Sequence, residues 1–121
     1  MRSLRIIVVD DNRDFAESLA EVLSAKGHEV EVAFSGRDAV SRCARQDFDL
    51  ALMDVMMPGL NGVESLMQIR RTKPEARVVM MTAYSVNDLL QRASDHGALG
   101  VLHKPFPLQD LDQYMIALSP A

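Results

Sequence analysis

Short apolar runs recur along the chain and predict five β-strands. Residues 5–9 and 50–53 are dominated by continuous apolar stretches, which are typical of strands buried on both faces. Residues 29–32 instead alternate glutamate with valine, a pattern that favours an edge strand with one face in water. Residues 77–82 and 99–102 predict two further strands.

Helical spacing of apolar residues fills the intervals between these strands. Over residues 12–26, Phe15, Leu19, Val22 and Leu23 fall on one face of a helix. The same spacing predicts four further helices, each opened by a residue favoured at helix starts: Ser35, Asn61, Ser85 and Pro107. The chain therefore alternates five strands with five helices.

This alternation predicts an α/β fold of the (βα)5 type, a doubly wound parallel sheet with helices on both faces. The half-polar second strand belongs at an edge, which favours the strand order 2-1-3-4-5. At 121 residues the chain is long enough for one proper core, so we expect a single domain over residues 1–121.

Composition excludes several classes of function. The net charge of -4 offers no broad basic surface for nucleic acid. No apolar stretch approaches the length of a membrane span, and the N-terminus lacks the core of a signal peptide. The single Cys43 cannot form an internal disulfide, which fits a reducing compartment. We expect a cytoplasmic protein that binds neither membrane nor nucleic acid.

Three aspartates follow two of the predicted buried strands. Asp10 and Asp11 come after the first strand, and Asp54 comes after the third. In the order 2-1-3-4-5 these strands flank the point where strand order reverses, so their carboxyl ends lie side by side. Three neighbouring carboxylates repel one another and lose solvation, which a divalent cation among their oxygens would offset. The pattern predicts a metal site.

Two further residues extend this cluster. Thr82 ends the fourth strand and Lys104 ends the fifth, so both fall on the same edge of a parallel sheet. A hydroxyl and an ammonium opposite carboxylates suit a phosphoryl group beside a metal ion. Asp54 is then the natural carrier of the phosphoryl group, as an acyl phosphate. Helix capping alone explains neither Asp54 nor Lys104.

Taken together, these residues closely resemble the receiver domain of two-component response regulators, which has a flavodoxin-like fold. The resemblance spans nearly the whole chain through four motifs in order: IIVVDDN, LALMDVMMPGLNG, VVMMTA and GVLHKPF. It implies transfer of a phosphoryl group to Asp54 from the phosphohistidine of a histidine kinase or a histidine phosphotransfer protein, with Mg²⁺ required and Mn²⁺ able to substitute.

The resemblance also implies roles for individual residues around the metal. Asp11 and Asp54 supply carboxylates, the backbone carbonyl of Met56 supplies a third oxygen, and Asp10 acts mainly through metal-bound water. Met56 and Tyr84 lie two residues beyond Asp54 and Thr82, at positions that flank the path of hydrolytic water in the family. Both side chains are large, so we expect slow self-dephosphorylation. Coverage of the loop surface alone is an almost equally good interpretation.

The implied switch acts through the residues that meet the phosphoryl oxygens. Thr82 and Lys104 would gain partners that they lack before phosphorylation, and Lys104-Pro105 should be a cis peptide bond. Family members commonly carry an aromatic residue after the glycine of the fifth strand, whereas this chain has Val101. Either another residue such as Tyr84 takes over its movement, or the conformational response is smaller.

Three classes of function remain in view. The first is a phosphoryl-accepting switch that is no enzyme beyond its own phosphorylation and dephosphorylation. It would be a monomer or a weak phosphorylation-linked dimer, and its unknown output partner would bind the face of the fourth helix, fifth strand and fifth helix. The second is an Asp-nucleophile phosphohydrolase, but Met56 stands where such enzymes carry a second aspartate. The third is a pseudo-receiver that binds partners without phosphorylation.

Overall fold

The computed structural model describes residues 3–84 and 87–118, in which strands and helices alternate from end to end. In chain order the elements are β1 Arg5–Val9, α1 Arg13–Ala25, β2 Glu29–Ala33, α2 Gly36–Arg45, β3 Leu50–Asp54, α3 Gly62–Thr72, β4 Val78–Thr82, α4 Asn87–Asp95, β5 Gly100–His103 and α5 Leu108–Ala117. The predicted ends of the strands differ from the observed ends by at most one residue, as is usual for boundaries drawn from pattern alone.

The five strands form one parallel sheet in the order β2-β1-β3-β4-β5, which confirms the predicted (βα)5 fold. β2 lies at an edge, as its alternating residues predicted. The register pairs Val9 with Met53 and Asp54 with Met81. The residue that follows Val9 is therefore level with the last residue of β3, so the carboxyl ends of β1 and β3 meet at one edge.

The side chains of the strands divide between two cores because successive residues point to opposite faces of the sheet. On one face Ile7, Val9 and Met53 pack against α2, α3 and α4. On the other face Val8 and Leu52 pack against α1 and α5. Helices thus cover both faces of the sheet, as expected for a parallel sheet with right-handed crossovers.

Local capping fixes where the helices near the carboxyl edge begin. The side chain of Asn12 accepts a hydrogen bond from the backbone of Phe15, and α1 starts at the next residue, Arg13. Asn61 and Glu64 cap each other's backbone amides in a reciprocal capping box at the start of α3. The predicted opening of the fourth helix at Ser85 lies outside the described residues. Among the helices that the structure describes, none is long and apolar enough to cross a membrane.

Candidate functional site at the carboxyl edge of the sheet

The structure brings the three predicted aspartates together. Asp10 follows β1 directly, Asp11 comes next, and Asp54 is the last residue of β3. Each offers a carboxylate oxygen, and these oxygens all lie within 4.8 Å of one another. Asp10 is fully buried and Asp54 is 7% exposed, whereas Asp11 lies open to solvent. Two acids are therefore desolvated, and the third faces water.

Backbone contacts hold the two buried carboxylates in place. Asp10 Oδ1 accepts a hydrogen bond from the amide of Asn12 at 3.0 Å, and the amide of Met56 lies 3.4 Å from Asp54 Oδ1. The loop after β3 then returns against its own strand at Gly62. A side chain there would place its Cβ 2.3 Å from the carbonyl oxygen of Asp54, so only glycine allows this close approach.

The electrostatic environment of Asp54 disfavours its charged form. Burial, with a further contribution from neighbouring Asp10, raises the pKa of Asp54 from 3.8 to about 6. Lys104 and the amide of Met56 act in the opposite direction but only in part. Near neutral pH the site therefore holds a carboxylate whose negative charge the fold stabilises poorly, and an additional cation would stabilise it.

Lys104 lies among the same carboxylates. Its Nζ is 2.5 Å from Asp10 Oδ2 and 3.7 Å from Asp54 Oδ2, and its side chain is only 15% exposed. The Lys104-Pro105 peptide bond is cis, as the resemblance implied. The ammonium also lies over the ring of Phe15, 4.3 Å from the ring centroid. One cation thus contacts two aspartates and one aromatic ring.

The expectation that Thr82 and Lys104 lack partners before phosphorylation is wrong. The hydroxyl of Thr82 donates to the carbonyl of Tyr84 at 2.9 Å and accepts from its amide at 3.0 Å. Lys104 is paired with Asp10. Both side chains are almost buried, and a buried polar group without a partner is costly, so the fold supplies each with a local one. Any phosphoryl group would have to compete with these contacts.

The remaining predicted residues surround the cluster at different depths. Met56 is 42% exposed and Tyr84 is 63% exposed. Val101 lies on β5, half-buried, and packs against the core formed with α2, α3 and α4. Its predicted effect on the switch, like the role of the Met56 carbonyl as a metal ligand, stays a prediction.

The donor set fits a hard divalent cation. Carboxylate oxygens are the preferred ligands of Mg²⁺, which is usually held by one or two carboxylates together with water and phosphate oxygens. Two buried acids with an unfavourable mutual repulsion, beside a third that is open to water, meet this requirement. The ammonium of Lys104, held by Asp10, also places a positive charge next to Asp54, which is where an anionic group carried by Asp54 would need one.

Comparison with known proteins identifies the family. Residues 6–116 match the response regulator receiver domain, so the chain belongs to this family and the recognition made from its motifs is confirmed. One relative is a response regulator receiver protein of Anaeromyxobacter, 43% identical over 101 residues that make up 84% of this chain and 42% of that protein. A MprA response regulator of Mycolicibacterium vanbaalenii is 40% identical over 95% of this chain and 50% of its own length. The chain spans half or less of these relatives.

Two solved structures share the fold along nearly the whole chain, and one of them was determined with ligands bound. A CheY-like receiver domain from Methanospirillum hungatei has a TM-score of 0.91 and 27% identity, covering 97% of this chain and 94% of its own. TrrA of Thermotoga maritima, solved in complex with Mg²⁺-BeF, has a TM-score of 0.83 and 33% identity, covering 95% of this chain and 98% of its own.

Two residues at this site escaped the sequence reasoning. Phe15 fits the apolar face of a helix, so its spacing indicated only core packing, and nothing in the pattern placed its ring under an ammonium. Gly62 falls beside a turn, where glycine is common, so its close approach to the Asp54 carbonyl gave no separate signal. Both depend on distances that are set only once the strands are paired.

Proposed function

We propose that this chain is the phosphoryl-accepting receiver of a two-component phosphorelay, with Asp54 as phosphoacceptor and Mg²⁺ as the required ion. The observation that carries the proposal is the combined environment of Asp54. Its carboxylate is nearly buried, one of its oxygens lies within 4.8 Å of one oxygen each of Asp10 and Asp11, and Lys104 Nζ is 3.7 Å from Asp54 Oδ2. Helix capping alone would not explain why Asp54 and Lys104 join the two other aspartates in one place.

In the proposed reaction an oxygen of Asp54 attacks the phosphorus of a phosphohistidine. The phosphorus–nitrogen bond breaks, an acyl phosphate forms, and the histidine of the donor leaves with the electron pair. A bound Mg²⁺ would neutralise charge on the phosphoryl oxygens, and Asp10, Asp11 and Asp54 are the residues that would hold it. Lys104 supplies a second positive charge, which matters because catalysis of this transfer is largely positioning and charge stabilisation.

The proposed switch is an exchange of partners rather than a gain of them. The phosphoryl group adds roughly -1.5 to -2 charges beside Asp54. Lys104 would shift from Asp10 toward these oxygens, and the hydroxyl of Thr82 would leave the backbone of Tyr84. Because that hydroxyl makes two hydrogen bonds to the backbone of Tyr84, the backbone at Tyr84 must rearrange when it moves. Phosphorylation then counts only through its differential stabilisation of the two arrangements.

Intact mass measurement separates the candidate functions. Protein is incubated with Mg²⁺ and acetyl phosphate, with the Asp54→Asn variant as the matched control. Addition of one phosphoryl group to the wild type and none to the variant supports the receiver. Continuous release of inorganic phosphate supports a phosphohydrolase, and an unchanged mass supports a pseudo-receiver that works by binding alone.

We propose that self-dephosphorylation is slow because Met56 and Tyr84, two residues beyond Asp54 and Thr82, carry large side chains at the positions that flank the path of hydrolytic water in the family. Replacing both with small polar residues, Met56→Asn and Tyr84→Ser, should admit water and shorten the lifetime of the acyl phosphate. The measurement is decay of the phosphorylated mass after the donor is removed. A wild-type half-life of seconds, or equal decay in the double variant, would contradict this account.

The phosphodonor is proposed to dock on α1 beside the cluster. A shallow apolar cleft of about 280 Å³ lies there, lined by Phe15, Ser18, Leu19, Val22, Pro105, Phe106 and Leu108. Exposed acids follow the same helix at Asp14, Glu17 and Glu21, spaced so that they share one face. The surface therefore suits a helix that carries apolar and basic side chains, and it adjoins Lys104 through Pro105.

Charge reversal on α1 tests this docking surface. Glu17→Lys should slow transfer from a phosphohistidine-charged phosphotransfer protein that phosphorylates the wild type, because like charges then oppose encounter. It should leave phosphorylation by acetyl phosphate unchanged. The control is Glu75→Lys, the same charge change on an exposed residue between α3 and β4. Equal slowing by both variants would argue against docking at α1.

The remaining assignments follow from the same role. We propose that residues 1–121 form one receiver domain, that this domain works in the cytoplasm, and that it binds no nucleic acid itself. Its output partner is proposed to bind the face of α4, β5 and α5, where Leu99 and Ile116 are exposed apolar side chains. As a signalling module it would catalyse only its own phosphorylation and slow dephosphorylation.

A further inference from the structure

We propose that Phe15 is a positioning residue for Lys104, and that its ring face holds the ammonium where it can serve both Asp10 and a phosphoryl group on Asp54. The inference rests on the proposed phosphoryl transfer for its purpose, although the contact itself can be measured without it. In the sequence Phe15 is one of several apolar residues on the inner face of α1. In the structure the ring of Phe15 also contacts the ammonium of Lys104.

The ring and the ammonium are close enough to attract each other. Lys104 Nζ lies 4.3 Å from the centroid of the Phe15 ring, inside the range of about 6 Å over which the negative face of an aromatic ring attracts a cation. The Lys104 side chain is only 15% exposed and Phe15 is half-buried. Little water therefore separates the charge from the ring, and desolvation makes this type of contact stronger.

A second aromatic residue fixes the orientation of the Phe15 ring. Phe106 meets it nearly edge-on, with ring centroids 6.3 Å apart and ring planes at 75°. Edge-to-face geometry is the preferred arrangement for two aromatic rings and resists rotation of either one. Phe106 also comes two residues after Lys104 in the same loop. The loop that carries the ammonium is thus held to α1 through the same ring that contacts the ammonium.

The chemistry of the site explains why a ring serves better here than another charged or polar group. Lys104 Nζ is closer to Asp10 than to Asp54, at 2.5 Å against 3.7 Å. Contact with a phosphoryl group requires it to shift by a short distance. A neutral ring attracts the ammonium without neutralising it and makes no directional hydrogen bond that this shift would break. It also offers no oxygen that would compete with the aspartates for a cation.

Substitutions that keep apolar volume but remove the ring separate positioning from plain packing. Phe15→Leu keeps an apolar side chain, Phe15→Tyr keeps the ring face, and Phe106→Leu removes an aromatic ring that does not contact the ammonium. With acetyl phosphate and Mg²⁺, Phe15→Leu should reduce the phosphorylation rate about threefold to tenfold, in line with the strength of a partly desolvated cation–ring contact. Phe15→Tyr should remain close to wild type. Phe106→Leu removes the ring that orients Phe15 and leaves the Phe15 ring in place, so it should reduce the rate less than Phe15→Leu does.

A double-mutant cycle tests the contact without any phosphorylation. The unfolding equilibrium is measured for wild type, Phe15→Leu, Lys104→Met and the double variant, and Phe15→Met replaces Phe15→Leu if the latter does not fold. We expect Phe15→Leu to change the unfolding constant about threefold to tenfold more in the Lys104 background than in the Met background. Additive effects would overturn the proposal, as would an unchanged phosphorylation rate in Phe15→Leu. If coupling is present and no variant is phosphorylated, the proposed function fails and the contact stands.

Discussion

Asp54→Asn is expected to abolish phosphorylation and, at the same time, to stabilise the metal-free protein. The first effect follows because an amide oxygen cannot form the acyl phosphate. The second follows because burial and neighbouring Asp10 raise the pKa of Asp54 from 3.8 to about 6, so holding its charge at neutral pH costs the folded state free energy. Removing that charge should raise the free energy of unfolding by about 1–3 kcal/mol, because the pKa of about 6 already includes the attraction of Lys104 for the charged form.

The stabilisation expected for Asp54→Asn should depend on pH in a defined direction. Between about pH 4 and pH 6 the folded state binds more protons at Asp54 than the unfolded chain does, so the wild type loses stability as pH rises through that range. Asp54→Asn lacks this loss, and its advantage should appear at pH 7 and vanish at pH 4. Denaturant unfolding in the presence of EDTA measures both values. Glu75→Gln, which changes an exposed acid outside the cluster, should show neither effect.

A variant that is less stable than wild type at pH 7 would contradict the description of the cluster as an electrostatically unfavourable one. It would indicate instead that the pairing of Lys104 with the carboxylates outweighs their burial and mutual repulsion. Loss of phosphorylation alone does not distinguish these cases, because any unfolded variant also loses it. The stability measurement is therefore the more informative half of the experiment.

Mg²⁺ is expected to stabilise the folded protein and to be required for phosphorylation. An ion that binds only the folded state adds stability in proportion to the logarithm of its concentration, about 2.7 kcal/mol at 100 times its dissociation constant. Asp11→Asn should lose most of this increment and most of the phosphorylation rate. Asp11 is the exposed member of the cluster, so its substitution should do this with little effect on the metal-free fold.

Asp14→Asn is the matched control, since it removes a neighbouring exposed charge outside the cluster. It should respond to Mg²⁺ as the wild type does. The stabilisation by Mg²⁺ should also grow as pH rises through about 6 and level off above it, because protons and the ion compete for Asp54. An equal response to Mg²⁺ in Asp11→Asn and wild type would show that the ion binds elsewhere.

Much of the fold was predictable because the two periodicities of the chain are strong. Continuous apolar residues in β1 and β3, against the alternating residues of β2, were enough to predict the strand order, and the order alone predicted that the three aspartates meet. The partners of Thr82 and Lys104 were not predictable. Whether a hydroxyl bonds to a nearby backbone or an ammonium to one of two carboxylates is decided by differences of about an ångström, which no residue pattern carries.

The role proposed for Phe15 could not be predicted from the sequence either. Its spacing on α1 is that of a core residue, and it does pack against the core formed with α5. Only the folded structure shows that one side of its ring faces Lys104. The sequence therefore predicted the groups that carry charge and missed the uncharged group that orients one of them.

The most direct test of the account locates the phosphoryl group within the chain. Protein treated with Mg²⁺ and acetyl phosphate is reduced with borohydride, which converts an aspartyl phosphate to homoserine, and its tryptic peptides are sequenced by mass spectrometry. Residues 46–70 form one tryptic peptide that contains Asp54 together with Asp47 and Asp49. The account predicts conversion at Asp54 alone. Conversion at Asp10, Asp11 or another aspartate, or none anywhere, would contradict it.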